Sequence, residues 1–339
     1  MDIHTVYMIL GFVLASYAIV GNDAIQTLGT FLESNSKRSW VTLWAFAGSI
    51  MSIVLVYGWY TNGGDVSYGR LGRIPSLEVI EWYHVAPTLL LLILTRFGIP
   101  VSTTFLVLSV FASSTVLGKV IIKSLVGYAV AFGAAIFLWS LISKIIENKF
   151  IKSREAGEVV TKKRWIAAQW IATGFLWSQW LIQDFANIYV YLPRQLSLTS
   201  LLLSLALMLA MLALIFKSRG GQIQKIVRTK TNTADIRSAT IIDFIYAGVL
   251  FLFKEVNNLP MSTTWVFLGV LAGREFAINH RLQLNSMKST SIMASKDLGK
   301  AFAGLAISLI LILGIKHMVS SPKKVVSEKV SVEKVVSKT

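Results

Sequence analysis

Two copies of one unusual pentapeptide, Pro100-Val101-Ser102-Thr103-Thr104 and Pro260-Met261-Ser262-Thr263-Thr264, stand in apolar surroundings in opposite halves of the chain. Each follows a second polar island, Asn22-Asp23-Ala24-Ile25-Gln26 in the first half and Gln183-Asp184-Phe185-Ala186-Asn187 in the second. The two pairs keep the same register to within one residue. An amide-Asp-x-x-amide followed by P-x-S-T-T in both halves marks an internal duplication, so the chain folds as two copies of one unit. Matched polar interruptions of hydrophobic segments are also the best sequence pointer to a transporter's binding site.

The background to these islands is a membrane protein. Of 339 residues, 54% are hydrophobic and only 15% charged, against about 25% charged in soluble domains. Mean hydropathy is +0.63. Apolar runs long enough to cross ~30 Å of hydrocarbon recur along the chain, as at Trp40–Tyr60, Leu125–Ile142, Leu198–Ile215 and Ala301–Ile315. The net charge of +16 lies mainly between those runs. It reads as loop charge that fixes orientation and not as a nucleic-acid surface, since no basic domain interleaved with aromatics exists to carry one. Cysteine is absent, which excludes disulfides, thiol catalysis and thiolate metal sites. His4, His84, His280 and His317 show no metal-ligand spacing. The N-terminus lacks the basic region of a signal peptide, so the first span is expected to stay in the mature protein.

Five apolar elements are expected in each half: about Thr5–Val20, Trp40–Tyr60, Leu77–Thr95, Gly98–Leu117 and Leu125–Ile142, then Trp165–Ile182, Leu198–Ile215, Thr240–Phe253, Pro260–Gly273 and Ala301–Ile315. An odd number of crossings per half gives opposite orientations, an inverted-topology repeat. The expected fold is therefore all-α and polytopic, with broken or re-entrant helices at the P-x-S-T-T motifs. The first repeat takes residues 1–145 and a basic cytoplasmic linker 146–164. The second takes 165–317, with basic loops 217–237 and 274–300, and a Lys/Val/Ser/Glu tail over 318–339 is expected to be disordered. Counting basic residues by side places the N-terminus outside the cell (inner) membrane, with the lysine-rich tail as the one contradiction.

The islands carry the chemistry. An ionised carboxylate at membrane depth is expensive and marks an ion path or a proton relay. Asp23 and Asp184 each have amide side chains at their −1 and +3 positions, so each presents hard oxygen ligands to a small cation. A capping role at a span end explains one such aspartate well, and a matched pair poorly. In the other motif, proline fits the first turn of a helix. Ser and Thr after it put hydroxyl donors beside the free N–H groups at the positive helix end, an anion site without a basic side chain. The plain alternative is a proline-kinked helix whose hydroxyls bond their own backbone.

These motifs resemble those of the inorganic phosphate transporter (PiT) family, G-A-N-D-x-x-N-x-x-G-T and [LI]-P-V-S-T-T-H, repeated in inverted halves. The first half reads Val20-Gly21-Asn22-Asp23-Ala24-Ile25-Gln26-Thr27-Leu28-Gly29-Thr30, then Ile99-Pro100-Val101-Ser102-Thr103-Thr104-Phe105. The second reads Gln183-Asp184-Phe185-Ala186-Asn187-Ile188-Tyr189-Val190-Tyr191, then Leu259-Pro260-Met261-Ser262-Thr263-Thr264-Trp265. Gln26 and Gln183 stand where the family has Asn, Val190-Tyr191 replaces its second Gly-Thr/Pro pair, and Phe105 and Trp265 replace its histidine. The resemblance implies cation-coupled symport of phosphate by a divergent member. It implies sodium at Asp23 with Gln26 and at Asp184 with Asn187. The anion would lie at Asn22 and at the Ser102–Thr104 and Ser262–Thr264 helix ends.

The expectation is a non-enzymatic transporter of phosphate, with sodium as coupling ion and no organic cofactor. Sulfate or another tetrahedral oxyanion, with proton coupling, is the alternative reading. From a different class, Asp23 and Asp184 could form the dyad of an intramembrane aspartyl protease, although neither lies in a G-x-G-D context. The lipid bilayer is the expected surrounding, nucleic acid is not a partner, and a homo-oligomer is left open.

Overall fold

The computed structural model describes residues 2–77, 79–96, 101–142, 152, 163–220, 236–282 and 286–320. The linker 146–164 therefore lies almost wholly outside the described residues, as do 221–235 of the expected loop 217–237 and 321–339 of the tail. Among the described residues every regular element is a helix.

In the first half the elements are α1 (Ile3–Ala18), a π-helical turn (Ile19–Asp23), α2 (Ala24–Ser34), α3 (Trp40–Thr61), α4 (Trp82–Arg96), α5 (Thr103–Leu108) and α6 (Ser114–Ile142). The second half contributes α7 (Lys163–Tyr189), α8 (Leu198–Lys217), α9 (Ile236–Val256), α10 (Thr263–Leu282) and α11 (Met287–Ser320). Polar caps start several of these helices: Asp2 accepts from the Thr5 N–H at 2.7 Å, Ser39 starts α3 and Ser197 starts α8. Each satisfies an N–H that the helix itself leaves unbonded.

Three expected boundaries move. The fourth and fifth apolar elements do not break after Leu117; the break falls at residues 109–113. Ser113 caps α6 there, its hydroxyl accepting from the Val116 N–H at 3.3 Å. The expected basic loop 274–300 is helical over 274–282 and 287–300. Arg274 is buried against Ser238 (3.1 Å) and Glu275 (2.7 Å), and Asn279 bonds Thr290 at 2.6 Å, so these polar residues pack helices together instead of facing water. The aspartate islands also do not end their spans: α1 continues through its π-turn into α2, and α7 runs on to Tyr189.

Among the described residues, five helices are long and apolar enough to cross a membrane: Trp40–Thr61, Ser114–Leu141, Leu198–Lys217, Ile236–Val256 and Met287–Val319. They carry fully or largely exposed Ile53, Phe137, Leu203, Leu214, Ile310 and Leu313. Apolar side chains in such number on spanning helices face hydrocarbon, and the chain is an integral membrane protein. Helix α9 is the central span, with 72% of its apolar window buried against 28–39% in the other four.

The most extensive packing joins α6 to α10. Gly269 and Gly273, one turn apart on α10, sit against the Tyr128 and Phe132 carbonyls of α6. A Cβ on Gly269 would lie 2.5 Å from the Tyr128 oxygen. Small residues at this spacing let two membrane helices approach closely, and van der Waals contact then holds them. The same approach fixes the start of α10, where the second S-T-T motif stands.

Candidate functional site

The first island occupies the π-turn between α1 and α2. There the Ala24 N–H reaches back to the Ile19 carbonyl, a wider turn of the kind found at functional positions. It holds Asp23 at 1% exposure. Asn22 and Gln26 belong to the helical backbone here, while their side chains lie outside the described residues. The second island lies on the last turns of α7, where Gln183, Asp184 and Asn187 are all buried.

The S-T-T segments begin helices, but after the proline and not at it. Ser102 and Ser262 are the caps, accepting from the N–H groups of Phe105 at 3.3 Å and Trp265 at 3.4 Å. Helices α5 and α10 start at Thr103 and Thr263. Pro260 therefore precedes the cap and is not in the first helical turn. A cap residue is extended and not helical, as Ser102 is (φ −75°, ψ 115°), so it needs a serine oxygen rather than a proline ring. Pro100 lies outside the described residues.

The two motifs meet. Thr104 Oγ1 donates to the Met261 carbonyl at 3.2 Å, and the rings of Phe105 and Trp265 pack edge to face at 5.8 Å. The residues following S-T-T in each half thus touch one another. Ser102, Thr103, Thr104, Ser262, Thr263 and Thr264 are all buried.

Hydroxyls of the first motif reach both aspartate islands. Thr103 donates to Asp23 Oδ2. Asn187 donates through Nδ2 to Thr104 Oγ1 at 3.1 Å and to Asp184 Oδ1 at 2.8 Å. Thr263 lies beside Asp184, and Asp23 is near enough for the two carboxylates to act on each other. In the second motif Ser124 Oγ takes the Ser262 N–H at 2.8 Å. The N–H groups of Thr263 and Thr264 have no acceptor within the described residues.

Three acceptors of the second island are buried without a hydrogen-bond donor: Gln183 Oε1, Asp184 Oδ2 and Asn187 Oδ1. Buried oxygens are ordinarily paired, and these three come from one stretch of α7. Oxygens in such a group are the ligands a hard cation takes. Among the described residues no group of three His, Cys, Asp or Glu side chains converges; the unpaired oxygens here belong to one carboxylate and two amides of a single helical stretch.

A third buried carboxylate, Asp243 on α9, was not singled out from sequence. It accepts from Thr30 at 2.7 Å and from Thr173 at 2.5 Å. One turn further on, Tyr246 donates to the Thr263 carbonyl at 3.0 Å. The signal was available, because an acid inside the apolar run Thr240–Phe253 is unusual at membrane depth. Its partners on α2 and α7 become visible only once the helices are packed.

No family model and no curated protein sequence matches the chain. Among solved structures, the chain is similar to "The sodium-dependent phosphate transporter", with a TM-score of 0.57 at 17% sequence identity. The match covers 94% of this chain and 100% of that one. The likeness is one of fold.

Proposed function

We propose that the chain is a secondary transporter that carries inorganic phosphate together with a cation, sodium in the first instance, on two halves of inverted topology. The observation that carries this reading is the bridge made by the first S-T-T motif. Thr103 binds one island and Thr104 the other, so the hydroxyl donors and both carboxylates form a single buried cluster. Donors at helix starts suit an oxyanion, and carboxylate with amide oxygens suits a cation. Their contact would put the two ligands side by side, a direct route to a coupling free energy between them. The similarity in fold to a structure described as a sodium-dependent phosphate transporter supports the same reading.

Phosphate is preferred to sulfate because of the unpaired acceptors. Gln183 Oε1, Asp184 Oδ2 and Asn187 Oδ1 can be satisfied by a cation or by the P–OH of monohydrogen phosphate, and sulfate at neutral pH carries no such donor. The aspartyl-protease reading gains no comparable support, since the matched threonines would have no part in it. Uptake of radiolabelled phosphate and sulfate into proteoliposomes, with sodium and proton gradients imposed separately, tests the assignment. Phosphate uptake driven by sodium is expected. Uptake of neither anion under either gradient would overturn it.

A further inference from the structure

Arg70, in the segment between α3 and α4, and Lys123, on the spanning helix α6, are both buried, at 2% and 6% exposure. Arg70 is delivered by the turns between α3 and α4. Asp65 folds that segment on itself, accepting from the Ser67 N–H (2.7 Å), the Ser67 hydroxyl (2.6 Å) and the Gly69 N–H (2.9 Å). Gly69 adopts φ +71°, a conformation that costs glycine nothing, and the next residue is turned inward.

Both cations converge on one backbone oxygen. Arg70 Nη1 donates to the Leu259 carbonyl at 3.3 Å, and Lys123 Nζ donates to the same carbonyl at 2.7 Å. Lys123 also bonds the carbonyl of Asn257 (3.0 Å) and its Oδ1 (2.8 Å). Its neighbour Ser124 takes the Ser262 N–H. The approach to the second S-T-T helix is thus gripped from the α3–α4 segment and from α6.

Neither cation has a carboxylate within ion-pair distance among the described residues, and Arg70 Nε has no hydrogen-bond partner at all. Asp184 and Glu255 act on Arg70 only across space, and Glu255 is exposed and paired with Lys254 at 3.3 Å. Burial pushes the Arg70 guanidinium down to about 10, against the pull of Asp184 and then Glu255, so it remains charged at neutral pH. A carbonyl satisfies a donor but does not cancel a charge, and a buried guanidinium with no counter-ion in contact is costly. An anion bound here would offset that cost and hold Lys123 protonated beside it.

We propose that Arg70 and Lys123 are specificity-determining residues whose positive charge, on Lys123 as it takes up a proton with the ligand, is the counter-charge for an oxyanion held at the Thr263–Thr264 helix start. This rests on the oxyanion reading of the site. The carbonyl contacts hold the two cations at the mouth of that helix, and their charge then favours a dianion over a monoanion or a neutral ligand.

Equilibrium binding of radiolabelled phosphate and sulfate to the purified full-length protein, at saturating sodium, provides the test. Arg70→Gln and Lys123→Gln keep a donor for the Leu259 carbonyl and remove the charge. Arg70→Lys and Lys123→Arg keep the charge. Each glutamine variant is expected to bind the anion roughly 10-fold more weakly or worse, from loss of one unit charge near it in a partly buried site. The charge-conserving variants are expected to recover most of that loss, with thermal unfolding confirming that all are folded. Should one glutamine variant fail to fold, the other and its charge-conserving partner decide the matter. Glutamine variants that bind like the wild type would overturn the proposal, as would charge-conserving variants that lose as much as glutamine. Wild-type protein that binds neither anion would remove the oxyanion reading itself, a distinguishable failure.

Discussion

Asn187 Nδ2 lies 3.1 Å from Thr104 Oγ1, joining side chains 83 positions apart in the sequence. Thr104 belongs to the first pentapeptide and Asn187 to the second aspartate island, so one hydrogen bond ties together a motif from each half. The same hydroxyl donates a hydrogen bond to the Met261 carbonyl of the second pentapeptide. The two polar interruptions of each half therefore close into one cluster, and the site depends on the halves docking correctly.

That contact gives the first prediction. Thr104→Val keeps the volume and removes the hydroxyl, and Asn187→Ala removes the amide. Because the two share a bond and are proposed to flank a common ligand, a double-mutant cycle on anion affinity should be non-additive by about 0.5–3 kcal/mol. Additive losses would mean that the two residues serve separate sites. Thr263→Val, which leaves the helix N–H groups in place, should weaken binding by ~1.5–3 kcal/mol, roughly 10- to 150-fold.

Asp23→Asn and Asp184→Asn test the cation. Each conserves shape and removes the charge proposed to compensate a bound ion. Sodium-driven uptake should be lost in both, while thermal stability in detergent stays close to wild type. Normal uptake in both variants would reduce the two aspartates to structural roles.

Packing of α6 on α10 supports the second helix start and can be tested without any substrate. A side chain at Gly269 would drive into the Tyr128 carbonyl. Gly269→Leu should lower stability by about 1–3 kcal/mol or more, as overpacking does. Gly133 on α6 has open space around its Cβ direction, and Gly133→Ala should be neutral or slightly stabilising, since alanine is the better helix former. Thermal midpoints of the two variants decide this.

The absence of cysteine makes topology directly measurable. With the N-terminus outside, a single cysteine at Asn62, after α3, should react with an impermeant maleimide from outside. One at Ser36, between α2 and α3, should react only after the membrane is opened. Both positions are exposed. The reverse pattern would invert the assignment drawn from loop charge.

Much of this site was legible in the residues because the duplication supplied its own control. One buried aspartate or one S-T-T could have been a cap; the matched pairs pointed to Asp23, Asp184, Thr103 and Thr104. Helix boundaries were less legible for a physical reason. Apolar composition is the same on either side of residues 109–113, so only Ser113 and its cap show where α5 and α6 part. The charged residues of 274–300 looked like loop until packing gave Arg274 and Asn279 buried partners. Arg70, Lys123 and Asp243 escaped notice for a common reason. Each is a lone ionisable residue whose partners are far away in sequence, and a lone charge near a span end is usually solvated or snorkelling.

The central claim is that anion and cation occupy one buried cluster. Equilibrium binding of phosphate to purified protein across a range of sodium concentrations, paired with sodium binding across a range of phosphate, tests it most directly. Linkage requires each ligand to tighten the other by the same factor, and adjacent opposite charges should make that factor about 5- to 150-fold, or 1–3 kcal/mol. Equal and reciprocal enhancement is the predicted result. Phosphate affinity that does not change with sodium, at constant ionic strength, would contradict it.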